Sequence, residues 1–157
     1  MNADARLIQA AADLGYSFDG ELRVGGDYVP LVRDDQVVYV SGQVPRVGDS
    51  LVVTGRVGDD VGLEQAQRAA QVCAIRALVL LQRELGSLDE VRQILRITVY
   101  VQSAAQFTQH SEVADAASQL LHRVLERAGT HTRTSVGVFQ LPKNASVELD
   151  LIASVRR

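Results

Sequence analysis

The chain has 157 residues, 46% of them hydrophobic and 22% charged, with a formal net charge of -3. That length suits one domain, and the apolar content supports a core, which excludes a disordered chain. The acidic balance argues against nucleic-acid binding, which draws most of its affinity from a basic face. A single cysteine, Cys73, excludes an internal disulfide, and the longest apolar run, Ala77–Leu81, is too short to cross a bilayer. With no charged-then-apolar leader, the expected location is the cytoplasm, without membrane attachment.

In chain order, Leu7, Ile8, Ala11, Ala12 and Leu14 predict a short helix over Ala3–Leu14, ending before Gly15. The segment Gly20–Asp27 carries one alternating piece, Leu22 and Val24, and reads as an edge strand or extended arm. Gln36–Val40 is β-branched and aromatic and reads as a strand entering a tight turn at Ser41–Gly42. A second strand is expected over Leu51–Gly55, with a hairpin across Gln43–Ser50. The period then changes. From Leu63 to Leu85 the apolar positions fall three and four apart, which predicts a long amphipathic helix with an alanine-rich face, stopped by Gly86. Ile94–Val101 alternates and reads as a central strand, and a second long helix is expected over Phe107–Arg127. Two valine-rich strands, Thr134–Leu141 and Ser146–Val155, finish the chain around a Pro142–Lys143–Asn144 turn.

Helices confined to the crossovers imply an α+β fold, a two-layer domain whose mixed sheet carries both helices on one face. Val136, Val138, Val147 and Leu149 read as inward positions and are too apolar for both sheet faces to be wet. The second face is therefore expected to be buried between copies of the chain.

Three separated motifs then coincide. Ser41–Gly42–Gln43–Val44–Pro45 follows the first strand, Arg133 opens a strand reading Arg-Thr-Ser-Val-Gly-Val, and Leu141–Pro142 precedes Val147–Glu148–Leu149–Asp150. Together they resemble the Rid (YjgF) family, also called endoribonuclease L-PSP, over about Tyr28 to Val155. Residues 1–27 then form an N-terminal extension to a single core of residues 28–157. The resemblance implies a homotrimer of the chorismate-mutase-like fold with clefts between subunits. It also implies hydrolysis of reactive enamines and imines, such as 2-aminoacrylate, to a 2-keto acid and ammonia. Arg133 corresponds to the family's carboxylate-binding arginine and Glu148 to its carboxylate near the reacting carbon. Tyr28 matches the pocket tyrosine, and Ser41 and Gly42 the small residues lining the cleft. Two positions depart: Asp115 stands where many relatives have asparagine, and Ser135 where cysteine is frequent.

The residue types suit that chemistry. A guanidinium offers a carboxylate a planar bidentate fork, and a glutamate can hold the attacking water or pass a proton to departing ammonia. The plainer alternatives are a strand-end arginine paired with a surface acid, and a glutamate that pairs with Arg133 across neighbouring strands and only holds the pocket together. Ser41 has no base beside it in sequence and is not read as a nucleophile. Cys73 reads as a core residue, and His110, His122 and His131 lack metal-ligand spacing; His131, near Arg133, either rims the cleft or, the plainer reading, is a surface group. No metal or cofactor is expected. Two rivals stand beside the deaminase: a trimer that binds small carboxylates such as 2-ketoacids without turnover, and an endoribonuclease. Acidic charge and the absence of paired histidines or a basic groove make the last the weakest.

Overall fold

A computed structural model describes residues 1–157. Its main sheet has five strands: β1 (Leu31–Asp34), β2 (Val37–Gln43), β5 (Val91–Gln102), β6 (Thr132–Val138) and β7 (Val147–Val155). Their spatial order is β1-β2-β7-β5-β6, and only the β5–β6 pair is parallel. A separate two-stranded ribbon joins β3 (Arg46–Val47) to β4 (Ser50–Leu51). Helices α2 (Leu63–Leu85) and α3 (His110–Leu125) make the two crossovers and cover one face. The α+β architecture read from the crossovers is thus the observed one.

Alanine sets the distance between the layers. Ala66, Ala69, Ala70, Ala74 and Ala77 of α2 are fully buried, which lets the helix axis approach the sheet closely. On β7 the odd positions Val147, Leu149, Leu151, Ala153 and Val155 are buried against the helices, while Glu148, Asp150, Ile152 and Ser154 point to the open face. Val147 and Leu149 therefore point inward, as read from the sequence. Val136 is different: it pairs in register with Tyr100 and belongs to the open face, with Val138 two residues on. Tyr39 and Val32, register neighbours on β2 and β1, extend that exposed apolar surface.

The first hairpin departs from the sequence reading. β1 and β2 turn through Asp35–Gln36, with Asp35 at φ 55°, a left-handed conformation that aspartate tolerates. β1 escapes the pattern because it is four residues long, follows Pro30 and carries Arg33 and Asp34. β2 runs on through Ser41–Gly42, which is no turn but a bulge where the register against β7 shifts between Val40 and Gln43. Of Leu51–Gly55 only Leu51 is in a strand, and that belongs to the ribbon. Gly20–Asp27 pairs with no strand, because β1 already occupies the sheet edge.

Residues 1–27 are held instead by side chains. α1 (Ala3–Leu14) packs on α2 and α3 through Leu7, Ala10 and Leu14. Arg83 of α2 then donates to the carbonyls of Phe18 and Gly20, and the Arg68 guanidinium stacks over the Tyr16 ring at 4.9 Å. Asp4 anchors the start of α1: its Oδ1 accepts from the Leu88 amide at 2.9 Å and from Gln82 at 2.8 Å, and Oδ2 accepts from the Ser87 hydroxyl. Burial pushes the Asp4 carboxyl up, yet these hydrogen bonds outweigh it and hold the group below its ordinary value.

A carboxyl held low adds stability that is complete above the unfolded value of about 3.9 and is lost as pH falls through the lowered folded value. Asp4→Asn is expected to cost about 1 kcal/mol at neutral pH, given partial solvent screening. Urea unfolding at neutral pH and near pH 2 should show that difference shrinking on the acid side. A gap that stays constant with pH would remove Asp4 as a titrating anchor.

Candidate functional site

The predicted site residues fall into two clusters on opposite faces of the sheet. Arg133 pairs in register with Ile97 and Ser135 with Val99, both buried beneath the helices, so Arg133 and Ser135 point toward α3. Glu148 pairs with Tyr100 on the open face. β5 also lies between β6 and β7, so the cross-strand Arg133–Glu148 pair considered from the sequence does not form.

On the helix side, the Arg133 fork is already occupied. Its Nη1 donates to Asp115 Oδ1 at 2.9 Å and to Ser118 Oγ at 3.0 Å, and its Nη2 donates to Ser111 Oγ at 2.8 Å. Asp115 thus neutralises the arginine rather than standing as an unpaired acid. Only Nε of the guanidinium has no partner within the chain. Behind Ser118 stands His131. Its Nδ1 lies 2.6 Å from the Gly129 carbonyl and must carry the proton, leaving Nε2 to accept from the Ser118 hydroxyl at 2.8 Å. Ser118 therefore turns a lone pair toward Arg133. Burial, then the charges of His122 and Arg133, hold the His131 imidazole below its usual range, which keeps this neutral tautomer. The reading of His131 as a surface group needs correction here. His131 is half-buried and built into the arginine's support, and it stacks on His122 with centroids 5.5 Å apart, a pairing that sequence spacing did not show.

The second cluster lines a cavity of about 180 Å³. Tyr28, Gly42 and Glu148 meet there with Arg46, Arg76 and Lys143. Gly42 lets the carboxyl come close: a Cβ at this position would lie 2.8 Å from the Glu148 carboxyl carbon and would displace that side chain. The bulge in β2 brings that bare backbone against the carboxyl. Glu148 makes no hydrogen bond within the chain, and burial, reinforced by the charge of Asp150, pushes its carboxyl above the ordinary range. Asp150 itself accepts from the Tyr100 hydroxyl at 2.9 Å. Ser41 lies outside the cavity lining: its hydroxyl donates to the Val29 carbonyl at 2.9 Å and its amide to Pro30, so it tethers the Tyr28 segment to β2.

Elsewhere, Cys73 is fully buried and its thiol is pushed far up by burial, as befits a core residue. Sequence reasoning missed Ser111, Ser118, Arg46 and Arg76. Arg76 alone left a signal, a lone charge three residues from Cys73 on the apolar stripe of α2.

This arrangement can now be set beside known proteins. The family model described as Endoribonuclease L-PSP matches residues 20–155. The chain is 34% identical to Protein TCP17 of Trypanosoma cruzi over 154 residues, 98% of this chain and 96% of that one. The crystal structure of Atu1372, a protein of unknown function from Agrobacterium tumefaciens, superposes with a TM-score of 0.89 at 34% identity, covering 99% of this chain and 96% of its own. A candidate endoribonuclease from Shewanella oneidensis MR-1 has a TM-score of 0.90 at 24% identity, covering 99% and 100%. These matches run across the N-terminal helix, which is therefore shared with such relatives, and no helix of the chain is long and apolar enough to cross a membrane. The protein belongs to the endoribonuclease L-PSP family, the YjgF/RidA family.

Proposed function

We propose that the protein hydrolyses a small, carboxylate-bearing enamine or imine of the 2-aminoacrylate/2-iminopropanoate type to a 2-keto acid and ammonia, in a cleft completed by a second copy of the chain. The observation that carries this reading is Glu148: a carboxyl with no partner in its own chain, held against bare Gly42 backbone and shifted upward by burial. A carboxyl in that state takes and returns protons nearer neutrality than an exposed one does.

The arginine that would hold the substrate carboxylate lies on the opposite side of the sheet, so a single chain does not form the site. The exposed Tyr39, Val32 and Val136 supply an apolar reason for copies to associate, in a homotrimer on this reading. In the joined cleft, Arg133 binds the carboxylate. Glu148 takes a proton as water adds to the imine carbon, and the adduct is a carbinolamine. Returning that proton to nitrogen makes ammonia the leaving group, and the C–N bond breaks as the carbonyl forms and the hydroxyl proton passes to Glu148. Water is the only co-reactant, and the atoms balance without a cofactor.

One observation favours a second reading, retention of 2-ketoacids without turnover. Asp115 already competes for the guanidinium, so an incoming carboxylate meets a neutralised arginine with one free donor. Asp115 therefore sets affinity in either reading.

Three outcomes are expected. Arg133→Ala should lower ammonia release from freshly generated 2-iminopropanoate by about 100-fold or more at matched oligomer content; unchanged turnover would rule out the arginine. Asp115→Asn should tighten pyruvate binding several-fold by calorimetry, whereas weaker binding would mean that the aspartate helps to hold the ligand. The acid limb of kcat/KM should rise through a pKa above the ordinary glutamate value of about 4.3 and vanish in Glu148→Gln. A limb that persists in that variant would assign the proton transfer to another group.

A further inference from the structure

The cavity beside Glu148 carries more positive charge than its one acid can balance. Arg76 is only 3% exposed, although it is an arginine on the buried face of a helix. Its Nε donates to Gln43 Oε1 at 3.1 Å and its Nη1 to the Arg46 carbonyl at 2.9 Å. Neither acceptor is charged, and Nη2 has no acceptor. Arg46 adds a second orphan, because its Nε is buried without a hydrogen bond. Lys143 comes from the opposite wall, on a turn where Lys143 and Asn144 both take left-handed backbone, at φ 57° and 61°. The chain's four ion pairs use Arg6, Arg23, Arg123 and Arg133, so none of these three cations has a carboxylate. Arg23, also on the cavity wall, is paired with Glu21.

Charged groups are buried at a penalty that only a counter-charge and filled hydrogen bonds offset. Here two guanidinium groups stand close enough to oppose each other, and burial together with that repulsion holds the Arg76 group below its ordinary value. Cationic side chains without acidic partners lining one cavity are the arrangement an oxyanion completes. The cavity, at about 180 Å³, falls short of the roughly 300 Å³ at which whole-ligand pockets begin. It suits one small acidic group at the end of a longer molecule.

We propose that Arg76, Arg46 and Lys143 form an anion subsite for the distal acidic group of a dianionic substrate, a 2-imino or 2-oxo acid with a second carboxylate. The anion subsite stands on the cavity alone; the naming of its occupant as part of a substrate rests on the function proposed above. On that reading Arg133 of one copy holds the first carboxylate, and the arginines beside Glu148 of the next copy hold the second. The reacting carbon then lies between them, within reach of Glu148. Phosphate shares the chemistry of the distal group, so it serves as the competing probe.

The test is calorimetric titration of the full-length protein with 2-oxoglutarate, with 2-oxopentanoate as its five-carbon analogue lacking the distal carboxylate, and with inorganic phosphate. Wild type is expected to bind 2-oxoglutarate about tenfold or more tighter than 2-oxopentanoate. Arg76→Gln should erase that preference, Lys143→Gln should reduce it several-fold, and Arg133→Gln should weaken both ligands alike. Should Arg76→Gln fail to fold, the exposed Lys143→Gln decides. Equal affinities in wild type, or a preference untouched by Lys143→Gln, overturn the subsite. Phosphate binding more tightly than 2-oxoglutarate would overturn the dicarboxylate assignment. Preference for the diacid without any ammonia release from the matching imine would end the deaminase proposal and leave the subsite standing. Turnover without such preference would do the reverse.

Discussion

The alternation of β7 is the constraint on which the rest of this molecule depends. It is the middle strand, paired on both edges, and its odd residues are fully committed to the helices. Glu148, Asp150, Ile152 and Ser154 have no choice but the other face. A one-residue slip would bury Glu148 beneath α2 and expose Val147 and Leu149, so the position of the carboxyl is fixed by the whole hydrophobic core. The same alternation on β6 sends Arg133 the other way, under α3.

This geometry explains why neither cluster is complete. Beneath α3, the arginine is positioned by a chain of three hydrogen bonds from Gly129 through His131 and Ser118, and its charge is met by Asp115. On the open side, Glu148 has the chemistry of a proton carrier and cations around it, but nothing in its own chain to receive them. On the proposed function the two clusters are halves of one site that a second copy of the chain completes, since each copy offers both. The N-terminal segment borders the same cavity: Arg83 and Arg68 pin Tyr16 to Gly20 against α2, and Ser41 tethers the Tyr28 segment to β2.

Burial without a partner recurs around that cavity. Glu148 has no hydrogen bond, Arg46 keeps an orphan Nε, and Arg76 is enclosed without an acid. Cores rarely tolerate such groups, whereas sites that bind polar ligands collect them. The well-satisfied Gln102, bonded to Gly55, Asn144 and Leu141 in the same sheet layer, shows that the fold supplies partners where a buried polar group is structural.

The sequence by itself determined the layers and most of the elements. Hydrophobic period separates α2 and α3 from β5, β6 and β7, because burial on one side forces a spacing of three to four in helices and two in strands. Through its resemblance to the family it also offered Arg133, Glu148, Gly42 and Tyr28 as candidate site residues. It mistook the bulge at Ser41–Gly42 for a turn and missed β1, since a four-residue edge strand buries too little to leave a pattern. Only the tertiary structure decided which side chains meet. Strand order placed β5 between β6 and β7, pleat parity sent Arg133 and Glu148 to opposite faces, and packing across 30 residues or more brought Arg76 to Gln43 and Arg46. Those are consequences of register and long-range contact, and no local spacing in the chain encodes them.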